Sequence, residues 1–137
     1  MAQVVYIPLD ERPVNLQFPQ AIAAESPHIQ FIVPPRDLLG LKKEPASLEQ
    51  LWAWLDKALE NADYLIGSLD MLLYGGIVPS RLHHFTAEQC EEKLSQLKKL
   101  KQRYPQLKMY LFNLIMRVPS YNSSDEEPDY YDHYGEK

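Results

Sequence analysis

Four short apolar runs, at residues 4–9, 29–33, 64–69 and 109–116, alternate along the chain with helical patterns. Each run is almost continuously hydrophobic rather than alternating, which suits a strand covered on both faces. Two of the intervening segments carry their own helix start signals. In residues 47–62, Ser47 and Gln50 stand at capping-box spacing, and Leu48, Leu51, Trp52, Leu55 and Leu59 form one apolar stripe. In residues 85–105, Thr86 and Gln89 repeat the device, Phe85 and Cys90 hold the staple positions, and Pro105 closes the helix. A shorter first helix is predicted from Pro19 to about Glu25, which leaves 10–18 as a long strand-to-helix loop. The order β-α-β-α-β-α-β calls for an α/β fold with a mainly parallel sheet and right-handed crossovers. Part of a barrel and a doubly wound open sheet both satisfy it.

The chain has 137 residues, 45% of them hydrophobic and 24% charged, enough for one globular domain with a core of its own. Its charge is unevenly placed. Residues 1–119, the α/β domain, carry thirteen acids and thirteen bases, so the net charge of -5 lies wholly in the acidic, tyrosine-rich segment 120–137. Without a basic stripe to release counterions from phosphates, nucleic acid is not an expected partner. The single cysteine, Cys90, excludes an internal disulfide and a multi-cysteine zinc site, and is expected in the core rather than as a nucleophile. No signal-peptide pattern opens the sequence and no apolar run is long enough to span a bilayer, so a cytoplasmic location and no membrane partner are expected.

Both candidate architectures bind ligands at the carboxyl ends of their strands. Charged residues crowd all four of those exits. The first is followed by Asp10, Glu11, Arg12 and Asn15, the second by Pro34, Pro35, Arg36 and Asp37. The third is followed by Asp70, Tyr74, Gly75, Gly76, Ser80 and Arg81, the fourth by Arg117 and the acidic segment. The opposite strand ends read as plain helix-to-strand turns, and that asymmetry marks one edge as functional.

Asp10 and Glu11 fit either a salt-bridged turn with Arg12 or an active site. Pro13 keeps Arg12 out of the following helix, which suits a fixed guanidinium that binds an anion or tunes its neighbours. Asp70, amid apolar sequence, is either a helix cap or a buried acid needing Arg12, Arg81 or Arg117 as partner. Gly75-Gly76 offers a tight turn but no phosphate loop, since neither GxGxxG nor a Walker lysine occurs. His83 and His84 are adjacent and lack ligand spacing, so no metal is called. The C-terminal segment fits a solvated acidic tail. It also fits a sugar-binding wall, with Tyr130, Tyr131 and Tyr134 stacking on a pyranose and Glu126 or Glu127 serving as general acid or base.

The motifs `YIPLDERPVN`, `SLDMLLYGGIVPSR` and `IMRVPSYNSSDEEPDYYDHYG`, in this order, resemble the bacterial proteins grouped as domain-of-unknown-function family 4127. The resemblance runs from end to end of the chain. It implies no settled activity, but it does imply length: its members are several times longer, so this chain resembles the N-terminal part of a larger α/β protein. Bare edge strands, and with them self-association, would follow. The resemblance falls on Asp10, Glu11, Arg12, Pro13, Asn15, Asp70, Tyr74, Gly75, Gly76, Ser80, Arg81, Arg117, Glu126, Glu127, Pro128 and Tyr130. The expected function is a hydrolase-like, glycosidase-type enzyme acting on a carbohydrate or polyol. Asp10, Glu11, Asp70, Glu126 and Glu127 are its catalytic candidates, and Arg12, Asn15, Tyr74, Arg81, Arg117 and Tyr130 contact substrate. No cofactor is implied. The alternative is a non-catalytic binding or regulatory domain for an anionic small metabolite.

Overall fold

The computed structural model describes residues 1–115, 124–125, 128–129 and 131–134. The four apolar runs become β1 (Ala2–Ile7), β2 (Ile29–Ile32), β3 (Tyr64–Ser68) and β4 (Lys108–Phe112). They form one sheet in the order β2-β1-β3-β4 with every pairing parallel. The sheet is not closed, and its order sets β1 between β2 and β3, as a doubly wound sheet does and consecutive barrel strands do not.

Register sorts the side chains into two layers. Val5 lies opposite both Ile32 and Leu65, and Leu65 opposite Met109. This layer packs on α2 (Leu48–Ala58), whose Leu51 and Leu55 are fully buried together with Leu59 in the turn that follows. Of the expected stripe, Leu51, Leu55 and Leu59 are buried, and Leu48 and Trp52 are half-buried. Ser47 accepts from the Gln50 amide at the start of α2. Thr86 and Gln89 make a complete capping box at the start of α5 (Ala87–Arg103). Leu100 and Leu107 complete that side of the core. The other layer carries Val4, Tyr6, Tyr64, Ile66 and Tyr110. There α1 (Gln17–Ala24) packs against β2 and buries none of its own side chains.

Two differences from expectation bear on the site. The first helix starts at Gln17, so Pro19 is its third residue rather than its first. The chain is already turning at Pro13: the Arg12 carbonyl accepts from the Leu16 amide and the Pro13 carbonyl from the Gln17 amide, both at 2.9 Å. The first amides of a helix lack intrahelical acceptors, so a proline within that turn loses no hydrogen bond. Secondly, strand 3 ends at Ser68, and two short helices follow it, α3 (Leu69–Tyr74) and α4 (Ile77–Leu82). Ser68 caps α3 by accepting from the Met71 amide at 3.2 Å, and Gly75 ends it with φ 88°. An added Cβ on Gly75 would stand 2.8 Å from the Ala46 amide nitrogen, so the glycine also allows a close approach.

Leu55→Ala is expected to destabilise the fold by about 2–5 kcal/mol, the range for emptying a fully buried leucine site. The urea midpoint, at unchanged slope, measures it.

Candidate functional site

In the order β2-β1-β3-β4 the chain runs outward from β1 to β2 and then returns past β1 to β3. The loops leaving β1 and β3 consequently part from each other, and a crevice opens between them. Asp10, Glu11 and Arg12 enter it from β1, Lys42 from the β2–α2 connection, and Gly76 and Val78 from the segment beyond α3. It is narrow and leaves no room for a water molecule.

Asp10 is only 4% exposed and is fully engaged. Its Oδ1 accepts from the Arg12 amide at 3.0 Å and from Asn15 Nδ2 at 2.6 Å, and its Oδ2 pairs with Arg12 Nε at 3.0 Å. The carboxylate therefore orients Arg12 and closes the β1–α1 turn. The Tyr6 hydroxyl donates to the Asn15 carbonyl at 2.7 Å, which ties the turn down to the sheet. Burial, with the Asp10 charge adding to it, raises the Tyr6 pKa above the usual tyrosine value. Glu11, also buried, accepts from the Lys42 amide at 3.3 Å. Lys42 sits in a tight turn, with φ 48° and an antiparallel bridge between Leu41 and Glu44 beside it. The Ala46 amide donates to the Gly75 carbonyl at 3.0 Å. Three strand exits are thus locked together.

A second, roomier cleft of about 390 Å³ lies next to it, between α3, α4 and the chain leaving β4. Asp70, Tyr74, Ser80, His83, Asn113 and Leu114 line it. Asp70 is 6% exposed, and its Oδ2 accepts from the Leu114 amide at 3.1 Å. It is neither the cap of α3, a part taken by Ser68, nor solvated. Tyr74, one helical turn further on, shares its face. The Tyr74 ring stacks on His83 with centroids 4.4 Å apart, and its hydroxyl lies 3.9 Å from Cys90 Sγ. Burial chiefly, and then the Cys90 contact, raises the Tyr74 pKa. The Ser80 hydroxyl donates to the Ile77 carbonyl at 2.6 Å.

The residues singled out in the sequence divide between the two clefts. Asp10, Glu11, Arg12 and Asn15 gather at the first, and Asp70, Tyr74 and Ser80 at the second. Arg81, half-buried on α4, lines neither. Arg117, Glu126, Glu127 and Tyr130 lie outside the described residues. Asp125 and Asp129 are described, and they pair with Lys42 and Lys43 at 3.3 Å each, which places these two residues at the same edge. Arg36 and Asp37 form an exposed 3-10 turn, and β2 contributes through Lys42 instead. Lys42, His83 and Asn113 carried no motif that would single them out for these clefts. Among the described residues, no group of three or more His, Cys, Asp or Glu is placed to hold a metal ion. No helix among them is long and apolar enough to cross a membrane.

An open parallel sheet with polar clefts gathered along its carboxyl edge makes this an α/β protein. Residues 4–137 match the model of the family described as "Protein of unknown function (DUF4127)", and the chain belongs to that family. No curated protein and no solved structure matches it.

Asp10→Asn should destabilise the protein by about 1–3 kcal/mol in urea unfolding, since it weakens three hydrogen bonds to a buried carboxylate. A separate loss is expected in alkali. The folded-state pKa values of Tyr6 and Tyr74 lie above the ordinary 10.0, so their share of stability is intact below that pH. It is lost as pH rises through the folded values. Melting temperature measured across that range should fall less steeply in Tyr6→Phe than in the parent.

Proposed function

We propose that the Asp70 cleft is the ligand site of a hydrolase-type enzyme that acts on a small carbohydrate or polyol. One observation carries this reading: a buried acid, Asp70, lines about 390 Å³ of space together with the polar residues Tyr74, Ser80 and Asn113. Hydroxyl and amide groups around a carboxylate match the alternating donors and acceptors of a polyol. The Leu114 amide holds one carboxylate oxygen in place, which gives Asp70 the fixed position that a general acid or base requires. Hydrolysis of a glycosidic bond uses two carboxyl groups, and Glu11, Glu126 and Glu127 remain the candidates for the second. Asp10 is better suited to positioning Arg12 than to proton transfer, because its oxygens already accept from Arg12 and Asn15.

A second reading, a non-catalytic site for an anionic metabolite, draws on the outer rim of the first crevice, where Asp10 fixes the partly exposed Arg12 guanidinium.

Asp70→Asn separates the two. The amide oxygen can still accept from Leu114, so the fold should persist. Turnover of nitrophenyl glycosides is expected to fall by roughly two to four orders of magnitude, the usual contribution of a general acid or base, with binding of the parent sugar little changed. Unchanged turnover in Asp70→Asn would remove Asp70 from the mechanism. If the parent protein turns over nothing but binds sugar acids or sugar phosphates, and Arg12→Ala abolishes that binding, the second reading holds instead.

A further inference from the structure

We infer that His83 is a ligand-contacting residue of the Asp70 cleft, a neutral imidazole that donates a hydrogen bond from Nε2 to an oxygen of a polyhydroxylated ligand. The inference rests on that cleft being the ligand site.

Three observations meet at this ring. First, it lines the cleft together with Asp70. Second, its plane is set by neighbours. The imidazole lies on Tyr74 at 4.4 Å and 26°, and beside Phe85 at 5.4 Å and 24°, with Phe85 and Tyr74 themselves 6.1 Å apart at 22°. The Lys93 ammonium lies over the Phe85 ring at 4.3 Å. Third, one nitrogen is already committed. The Phe85 amide donates to His83 Nδ1 at 3.1 Å. A nitrogen that accepts cannot carry the proton, so in the neutral ring the proton resides on Nε2.

The chain makes this arrangement locally. His83 is the residue at which α4 ends, with φ −64° and ψ 155°, and the next helix is capped by Thr86 only three residues later. The Phe85 amide falls in the link between the two helices, where no regular ladder supplies an acceptor, and Nδ1 takes that role. His84, its neighbour, is exposed and lines neither cleft.

The resulting pair has opposite hydrogen-bonding character: Asp70 accepts and His83 donates. Two neighbouring hydroxyls of a sugar or alditol satisfy such a pair, one giving its proton to the carboxylate and the other receiving the imidazole N–H. A ligand without adjacent hydroxyls satisfies only one of them, and a buried polar group left unpaired lowers affinity.

The test uses the full chain and a panel of neutral monosaccharides and alditols, titrated calorimetrically. His83→Phe keeps a ring for the stack and removes both nitrogens; it is expected to bind at least about tenfold more weakly than the parent. His83→Gln, which restores an N–H donor, should recover part of that loss, as a merely structural ring would not. Independently, a long-range proton–nitrogen spectrum of the ligand-free protein should show His83 with its proton on Nε2. A proton on Nδ1 overturns the inference, even where His83→Phe fails to fold. Equal affinity in His83→Phe and the parent also overturns it, while a turnover loss in Asp70→Asn leaves the Asp70 reading standing. If the parent binds no member of the panel, both fall together.

Discussion

Parallel pairing of β1 with both β2 and β3 is the constraint from which the rest of the molecule follows. Parallel strands all leave a sheet at the same edge, and each must return by a crossover that packs on a face. The polar residues after Ile7, Ile32, Ser68 and Phe112 are therefore delivered to one side of the molecule whatever their spacing in sequence. The return of the chain past β1 to β3 then parts the loops above the central strands. A crevice at this point is a consequence of strand order and needs no special residue.

What the residues contribute is the way the exits are held. Among the described residues three buried acids, Asp10, Glu11 and Asp70, stand along this edge, and each accepts from a backbone amide. Asp10 takes the Arg12 amide within its own turn. Glu11 takes the Lys42 amide and so joins the β1 exit to the β2 exit. Asp70 takes the Leu114 amide and joins the β3 exit to the β4 exit. Loop amides have no ladder to satisfy them, and a carboxylate is the strongest acceptor available; a buried carboxylate in turn needs donors. Each cost is offset by the other. The acids are thus bonded into the scaffold itself, which separates Asp10, held by three partners, from Asp70, which also borders open space.

This double use explains how far the sequence could be read. Strands and long helices were legible because their signals are local: the Leu51, Leu55 and Leu59 stripe and the Thr86–Gln89 box each lie within a few turns. The polar edge was legible for the same reason, since any acid after an apolar run lands there. The helices α3 and α4 were not, because `LDMLLY` is as apolar as a strand. Its two helical marks, Ser68 and the left-handed Gly75, are ordinary loop residues when taken alone. Nor could the partners of Asp70 be found. Arginines were the obvious counter-charges, yet Asp70 Oδ2 accepts from an amide 44 residues away, which carries no side-chain signature at all. The division of the candidates into two clefts depends on α3 and α4, and was lost with them.

The near-continuous hydrophobicity of the four runs is a statement about both faces of the sheet, and the structure satisfies the two unequally. The face toward α2 is closed by Leu51, Leu55 and Leu59. On the opposite face Val4 and Tyr6 are buried, but α1 buries none of its own side chains, and toward β4 the cover thins: Tyr110 is 58% exposed and Phe112 36%. Tyr64 and Tyr110 stack on each other at 6.5 Å, which shields part of that surface with the sheet's own side chains. An amphipathic strand would have carried polar residues at positions 110 and 112, as solvent requires of a one-sided sheet. That β4 carries Tyr110 and Phe112 there instead is why its run resembled the others, and why the length of an apolar run measured hydrophobicity better than it measured the strand.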